Sequence, residues 1–265
     1  MPSLSRVILA IAGLVTLAAI FLPPAPTGAR KAVRPFLVYY GGIPRPGTQA
    51  QAAALARRMR GYPVVVLGLV PSAPAFAERV RRLLPHTVIY GYADMGHVTF
   101  AHVAARLRLL RRVGLDGVLL DEVGTGLSSR PAALRRIVLL AQRDGLRVML
   151  NAWDPRDTLN LPLRPGRDAV LCENWVYSGG AWAEPRTAAV YAALRTLERR
   201  GVLVFMIVTT SGVPSRTAPP LSGISATARA VFGNYLALSD PVYSADNDAI
   251  FPGQKLGREL SRLSF

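Results

Sequence analysis

Residues 114–122 read GLDGVLLDE: a turn glycine, an apolar run, and then two adjacent acids, Asp121 and Glu122. A short apolar run bounded in this way is typical of a buried strand in a parallel sheet. In α/β barrels, the side chains used in catalysis lie at the carboxyl ends of such strands. The stretch therefore predicts both a fold class and the place of a functional site.

The alternation of apolar runs with helical patterns extends in both directions from this stretch. Strands are predicted over Phe36–Gly42, Val64–Val70, Thr87–Asp94, Gly117–Val123, Arg147–Trp153, Asp168–Tyr177 and Val202–Thr210, with a weaker eighth over Val242–Asp246. Amphipathic helices are predicted over Thr48–Arg60, Ala73–Leu84, Val98–Val113, Pro131–Asp144, Arg186–Arg200 and Ser225–Leu238. Residues 154–167 show no helical period. Eight such units in a chain of 265 residues favour a single (β/α)₈ TIM barrel.

The first residues predict export. Arg6 precedes an apolar run over Val7–Leu22, which is followed by prolines and by small residues ending at Ala29. This order is typical of a secretory signal, and the run is shorter than the roughly 20 residues that a spanning helix prefers. We expect residues 1–29 to be a signal peptide or an N-terminal anchor and residues 30–265 to form the barrel, secreted or held at the cell envelope.

The formal charge of +16 comes almost entirely from arginine, since Lys31 and Lys255 are the only lysines among 32 basic residues. The arginines fall mostly in predicted helices, which indicates a solvated outer face; attraction to an anionic envelope is the alternative. Because the protein is expected to be exported, nucleic acid is not an expected partner. A membrane is expected only through the N-terminal segment if that segment is not cleaved.

Acidic residues concentrate at the carboxyl ends of the predicted strands, although the helices are basic. They are Asp94, Asp121, Glu122, Asp154, Glu173, Asp246 and Asp248. A charged side chain at a strand end costs desolvation free energy unless something uses it. Asp121 and Glu122 cannot both point inward from a regular strand, because successive side chains alternate between faces. Carboxylates on the fourth and sixth predicted strands match the pair that glycosidases use for acid and nucleophilic or basic catalysis.

Aromatic residues accompany these acids. All three tryptophans, Trp153, Trp175 and Trp182, lie on or after the fifth and sixth predicted strands, and Tyr40 and Tyr92 lie near other strand ends. Flat aromatic faces beside carboxylates suit sugar rings. We therefore expect Tyr40, Tyr92, Asp94, Trp153, Asp154, Trp175 and Asp246 to contact substrate.

Several other chemistries lack the residues that they need. Neither lysine lies on a predicted strand, so a Schiff base in the barrel is not expected. His86, His97 and His102 do not have the paired spacing of zinc ligands, and the single cysteine, Cys172, lies in an apolar run. No G-x-S-x-G elbow occurs. The sequence predicts neither a cofactor nor a catalytic metal.

The order of motifs resembles that of the spherulin-4-like glycoside hydrolases and, less closely, that of the endo-α-1,4-polygalactosaminidase barrels of glycoside hydrolase family 114. The pieces that carry the likeness are Gly91–Tyr92, the DGVLLDE stretch over 116–122, Leu150–Asn151 and Glu173. They cover the third to sixth predicted strands.

The resemblance implies an endo-acting TIM-barrel hydrolase of galactosamine or N-acetylgalactosamine polymers in microbial matrix. It implies that Asp121, Glu122 and Glu173 are the catalytic acids, with Asp121 as nucleophile or stabilising carboxylate and Glu173 as general acid/base. Asn151 would contact the substrate. The charge of +16 by itself favours an acetylated or anionic polymer over a cationic one.

Two other functions compete with hydrolysis. A non-catalytic barrel could bind envelope or matrix polysaccharide through its aromatic rim, and such binding would survive Asp121→Asn. A barrel enzyme of another chemistry, such as a metal-dependent one, would lose its activity on chelation.

Overall fold

The computed structural model describes residues 34–39, 47–68, 74–173, 177–178, 181–182, 187–209 and 235–239. The strands are β1 (Arg34–Pro35), β2 (Leu37–Tyr39), β3 (Val64–Leu67), β4 (Val88–Asp94), β5 (Gly117–Val123), β6 (Arg147–Ala152), β7 (Ala169–Glu173), β8 (Tyr177–Ser178), β9 (Ala181–Trp182), β10 (Leu203–Thr209) and β11 (Tyr235–Ser239). The α-helices are α1 (Gln49–Met59), α2 (Pro74–Arg82), α3 (Phe100–Arg112), α4 (Pro131–Arg143) and α5 (Ala188–Arg199). Short 3₁₀ helices cover Gly126–Ser129 and Pro155–Thr158.

Nine of these strands form one sheet in the order β1-β11-β10-β7-β6-β5-β4-β3-β2. Every pairing in it is parallel. The order places β1 and β2 at the two ends, although only Phe36 separates them along the chain. The fold is therefore an α/β fold built on a curled parallel sheet, as the sequence predicts.

Alternation along the strands divides the apolar residues into two layers. The inner layer lies on the concave side of the sheet and includes Phe36, Tyr90, Leu119, Met149, Leu171 and Phe205. Phe36 and Phe205 meet edge to face there, with ring centroids 4.9 Å apart. The larger outer layer lies between strands and helices and includes Val118, Leu120, Val148 and Val170. The strands are apolar on both faces because both faces are buried.

The helices begin where the sequence offers a hydroxyl cap or a proline. Thr48 forms a capping box with Gln51 at the start of α1, and Thr99 accepts the His102 N–H at the start of α3. Arg130–Pro131 starts α4 with proline in the first turn. All five helices lie within the predicted ranges, and the segment after β6 has only a short 3₁₀ helix, as expected.

Two predicted elements are wrong in part. The helix predicted over Ser225–Leu238 conflicts with β11, whose residues pair with Phe205–Thr209 of β10 and, at Tyr235–Leu236, with β1. A short apolar run does not distinguish helix from strand, and sheet pairing decided the outcome here. The sixth predicted strand, Asp168–Tyr177, ends at Glu173, and Tyr177–Ser178 instead pairs antiparallel with Ala181–Trp182.

Several predictions lie outside the described residues. They are the segment 1–29, the eighth predicted strand Val242–Asp246, and the site residues Tyr40, Trp175 and Asp246. Among the described residues, no helix has both the length and the hydropathy needed to cross a membrane.

Candidate active site

Three polar side chains continue the inner rows of three adjacent strands. Leu119, Met149 and Leu171 belong to the inner layer, and two residues later on each strand come Asp121, Asn151 and Glu173. Since side chains alternate along a strand, all three continue the inner rows toward the carboxyl edge. The strands β5, β6 and β7 are neighbours, so Asn151 stands between the two acids.

Asp121 is held by three hydrogen bonds. Its Oδ2 accepts the Tyr92 hydroxyl at 2.7 Å, and its Oδ1 accepts the Asn151 amide at 2.6 Å and the Glu122 N–H at 3.0 Å. These three donors fix the position and orientation of the carboxylate between Tyr92 and Asn151.

Glu173 is the second carboxyl of the site. Burial raises the pKa of its carboxyl above the ordinary value of 4.5, and the nearby charge of Asp121 raises it further, while the side chain of Asn151 acts in the lowering direction as a hydrogen-bond donor. A carboxyl whose pKa is raised by burial keeps its proton to a higher pH than an exposed one.

Glu122 departs from a regular strand. Its φ of 56° is the only positive value among the described residues other than glycine, and the pairing of β5 with β6 shifts between Leu120 and Val123. Its carbonyl accepts bonds from the Thr125 N–H at 3.2 Å, the Thr125 hydroxyl at 2.9 Å and the Ser128 hydroxyl at 3.1 Å. Left-handed backbone costs a non-glycine residue about 1–2 kcal/mol, so the turn holds Glu122 in a conformation that it would not adopt alone.

This distortion turns the Glu122 carboxylate toward the loop after β4. A Cβ atom on Gly96 would overlap Glu122 Oε2 and would lie 3.3 Å from Asp94 Oδ1. Asp94 itself accepts the Gly96 N–H at 2.7 Å and is the strand partner of Asp121. Asp94 and Glu122 thus form a second carboxylate pair beside the first.

Tyr92 lies among these charges. Burial raises the pKa of its hydroxyl, as do its hydrogen bond to Asp121 and the negative charges of Asp121, Asp94 and Glu122. The hydroxyl therefore stays protonated and acts as a donor to Asp121.

The loop after β6 contributes one exposed aromatic residue and one locally engaged acid. Trp153 is 75% exposed, which is unusual for so large an apolar side chain and makes it available to a ligand. Asp154 caps the 3₁₀ helix at Pro155–Thr158 by accepting the Arg156 N–H, and it pairs with the Arg156 guanidinium at 2.5 Å. Those bonds lower the pKa of Asp154, and they give it a structural role near the site.

The acids of the site differ from the other acids in their partners. Asp116, Asp144, Asp168 and Asp154 each pair with an arginine. Within the described residues no arginine forms an ion pair with Asp94, Asp121, Glu122 or Glu173. The site is therefore locally negative in a protein whose formal charge is +16.

No three His, Cys, Asp or Glu side chains are arranged to hold a metal ion in the part of the chain that the structure describes. Cys172 lies on β7 and is buried in the outer layer, on the face of the strand opposite to the site.

Solved structures with the same fold include a glycoside hydrolase. The glycoside hydrolase domain of PelA from Pseudomonas aeruginosa superposes with a TM-score of 0.55 at 15% identity, over 83% of this chain and 96% of that one. A variant of the same domain gives 0.54 at 16%, with the same coverage. A putative mandelate racemase/muconate lactonizing enzyme from Sorangium cellulosum gives 0.51 at 19%, over 82% of this chain and 56% of that one. At these identities the likeness shows the fold alone. No protein-family model matches the sequence, and no curated protein matches it either.

The turn after β5 contains contributors that the sequence did not reveal. Thr125 and Ser128 hold the Glu122 carbonyl, and Gly126, at φ 49°, packs directly on the Gly96 backbone. In the sequence, these residues appear only as two hydroxyl residues and two glycines after the acid pair. Ordinary βα turns have the same composition, so it did not indicate a role in the site.

Proposed function

We propose that this protein is an exported glycoside hydrolase that cuts within a microbial polysaccharide of galactosamine or N-acetylgalactosamine. The observation that carries the proposal is the pair Asp121 and Glu173, inward on β5 and β7 on either side of Asn151, with the pKa of Glu173 raised. Glycoside hydrolysis needs one carboxyl that donates a proton and a second that stays charged.

In the proposed mechanism Glu173 protonates the leaving glycosidic oxygen and later deprotonates water. Asp121 attacks or stabilises the oxocarbenium-like centre. Tyr92 and Asn151 hold Asp121 in place, since both donate to its carboxylate. Glu122 and Asp94 form the adjoining wall, and Trp153 offers a flat face on which a sugar ring can stack.

The local charge supports an amino-sugar substrate. The excess of arginine lies on the helices, whereas Asp94, Asp121, Glu122 and Glu173 pair with no arginine of the described residues. A locally negative cleft attracts a cationic chain even when the whole molecule is positive, because opposite charges within a few ångströms outweigh screened charges far away. The formal charge of +16 is therefore a weaker argument against a cationic polygalactosamine substrate than it is by itself.

The proposal includes the architecture and the location. Residues 30–265 form one (β/α)₈ barrel, in which the segment Arg34–Tyr39 closes the sheet, pairing with β11 on one side and β3 on the other. Residues 1–29 act as a signal peptide or anchor, and the protein works outside the cytoplasm. A likeness to a glycoside hydrolase domain in fold agrees with this proposal.

The test is release of reducing ends from acetylated and deacetylated galactosaminans. We expect release by the parent protein, and a loss of roughly a thousandfold or more in Asp121→Asn and in Glu173→Gln. Asp157→Asn is the matched control, since Asp157 is an exposed acid on the loop after β6, and it should keep its activity. Activity that survives both site substitutions would reject the mechanism.

The same experiment decides between hydrolysis and binding. Trp153, 75% exposed, would serve a binding protein as well as an enzyme. Sedimentation of the protein with an insoluble polymer, measured beside reducing-end release, separates the two. Binding without release, unchanged in Asp121→Asn, would favour the binding protein.

A further inference from the structure

Arginine gathers at the end of the sheet opposite the site. Each of the five described helices has an arginine in its last turn, and none has an acid in its first turn. The helices run back from the carboxyl edge, so these ends surround the amino ends of the strands. We call this surface the amino face.

The loops of the amino face form a connected surface. The Gly166 N–H donates to the Gly201 carbonyl at 2.7 Å, and the Arg167 guanidinium donates to the Gly145 carbonyl at 2.8 Å. These bonds join the loops that precede β6, β7 and β10. The arginines of separate loops and helices therefore share one side of the molecule.

The positive charge of this face exceeds what its acids balance. Its acids are Asp116, Asp144 and Asp168, each paired with an arginine, and Glu198 in the last turn of α5. Five further arginines are exposed and form no ion pair with any described carboxylate: Arg57, Arg60, Arg112, Arg167 and Arg199.

Helix stability does not account for all of this charge. A basic residue in the last turn complements the helix dipole, which explains one arginine per helix. Arg60 is the C-cap of α1, and the Arg167 guanidinium donates to the Gly145 carbonyl just after α4, so these two also stabilise helix ends. The last turns of α1, α2 and α3, however, each hold two or three arginines, which is more charge than the roughly half charge of one helix dipole needs.

We propose that the amino face docks on an anionic lipid bilayer and leaves the carboxylate site facing away from it. Separated charges spread over one end of the sheet suit an extended anionic surface, and each arginine near such a surface strengthens binding. The chain also enters the sheet at Arg34, on this same face, because β1 runs parallel to its neighbour β11.

The test compares two charge-matched variants of the full chain. The first, Arg57→Gln with Arg112→Gln and Arg199→Gln, changes the amino face. The second, Arg130→Gln with Arg135→Gln and Arg156→Gln, removes three exposed arginines at the start of α4 and in the loop after β6. Both leave the same net charge and the same N-terminal segment. The readout is co-sedimentation with phosphatidylcholine vesicles with and without phosphatidylglycerol, at low and high salt, after circular dichroism has verified folding.

The parent should bind the phosphatidylglycerol vesicles more tightly than the neutral ones, and salt should weaken the difference. The amino-face variant should lose on the order of a hundredfold of this added partition, while the control variant loses much less. Equal losses in both variants would overturn the proposal, since net charge alone would then explain binding. The proposal would also be overturned if the parent showed no preference for vesicles that contain phosphatidylglycerol. It would likewise be overturned if the amino-face substitutions weakened binding to soluble alginate but left binding to vesicles unchanged. None of these outcomes depends on hydrolysis.

Discussion

At the scale of single residues, Glu173 links the site to stability. Its pKa is raised in the folded protein by burial and by Asp121, so the unfolded chain ionises first as the pH rises. Ionisation of Glu173 therefore costs folding free energy above its unfolded pKa, and this cost grows until the pH passes the folded pKa. The same burial that suits Glu173 to proton donation thus lowers the free energy of unfolding at neutral pH.

We expect Glu173→Gln to unfold with a larger free energy than the parent at neutral pH, and the difference to vanish as the pH falls below 4.5, the ordinary value for a glutamate. Denaturant titrations of both proteins between acid and neutral pH measure this difference. A variant that is less stable than the parent at neutral pH would show that Glu173 does not have a raised pKa.

Glu122 stores strain in its backbone. At φ 56° glycine is favoured over any residue with a Cβ, so Glu122→Gly should be more stable than Glu122→Ala by about 1 kcal/mol. In an ordinary strand position the order is reversed, because glycine loses more entropy on folding. Urea unfolding of the two variants is the measurement, and Val118→Gly against Val118→Ala, in the regular part of the same strand, is the control.

At the scale of elements, β5 and β7 have the same arrangement of acids, one just before the strand and one near its carboxyl end. Asp116 precedes β5 and accepts the Ile89 N–H at 2.8 Å, and Asp168 precedes β7 and accepts the Val148 N–H at 2.9 Å. Each thus binds the backbone of the preceding strand and pairs with an arginine. The acid at the start of the strand stabilises the sheet, whereas the acid at its carboxyl end stays without an arginine.

Asp168 shows the structural half of this arrangement. Burial alone would raise its pKa, but hydrogen bonds from Arg164 and from the Val148 backbone lower it. We expect Asp168→Ala to lose about 3 kcal/mol of unfolding free energy, since it leaves the part-buried Arg164 guanidinium and the Val148 N–H without their acceptor. The contribution of Asp168 is present above its unfolded pKa of 3.8 and is lost as the pH falls.

Thermal unfolding of Asp168→Ala at neutral pH and near pH 3 measures both effects. Glu173→Gln, at the other end of the same strand, is the matched comparison and should change stability in the opposite direction at neutral pH. Equal losses in the two variants would contradict a division of roles between the two ends of β7.

At the scale of the whole molecule, charge is separated between the two ends of the sheet. Acids without arginine partners lie at the carboxyl edge, and the exposed arginines Arg57, Arg60, Arg112, Arg167 and Arg199, which form no ion pair with a described carboxylate, lie at the amino face. A formal charge of +16 thus describes neither end. The substrate and the surface on which the protein rests can have opposite charges.

Closure of the sheet depends on the first strand segment. Phe36 is 2% exposed and contacts Phe205, while Arg34–Pro35 pairs with β11. We expect deletion of residues 1–29 to change the free energy of unfolding by less than about 1 kcal/mol, and deletion of residues 1–36 to lower it by about 4 kcal/mol or more. Phe36→Ala measures the free energy that the Phe36 ring contributes. Any further loss of unfolding free energy in the 1–36 deletion is then due to the pairing of β1 with β11. If the 1–36 deletion costs no more than Phe36→Ala, the β1 pairing does not contribute to stability.

The sequence by itself determined the α/β class, the helices up to Arg200 and most strands of the parallel sheet between Phe36 and Thr209, because period and caps are local properties. Acids that follow apolar runs predicted Asp121 and Glu173 as site residues, and the family resemblance predicted Asn151 as a substrate contact. It could not decide between helix and strand at Tyr235–Ser239, where sheet pairing decided, or where the sixth predicted strand ends. Only the tertiary structure showed that Asn151 lies between the two acids, that the Glu122 side chain turns toward Gly96, and that Asp154 forms an ion pair with Arg156. Each of these depends on which strands and loops are neighbours, and a local pattern carries no information about that.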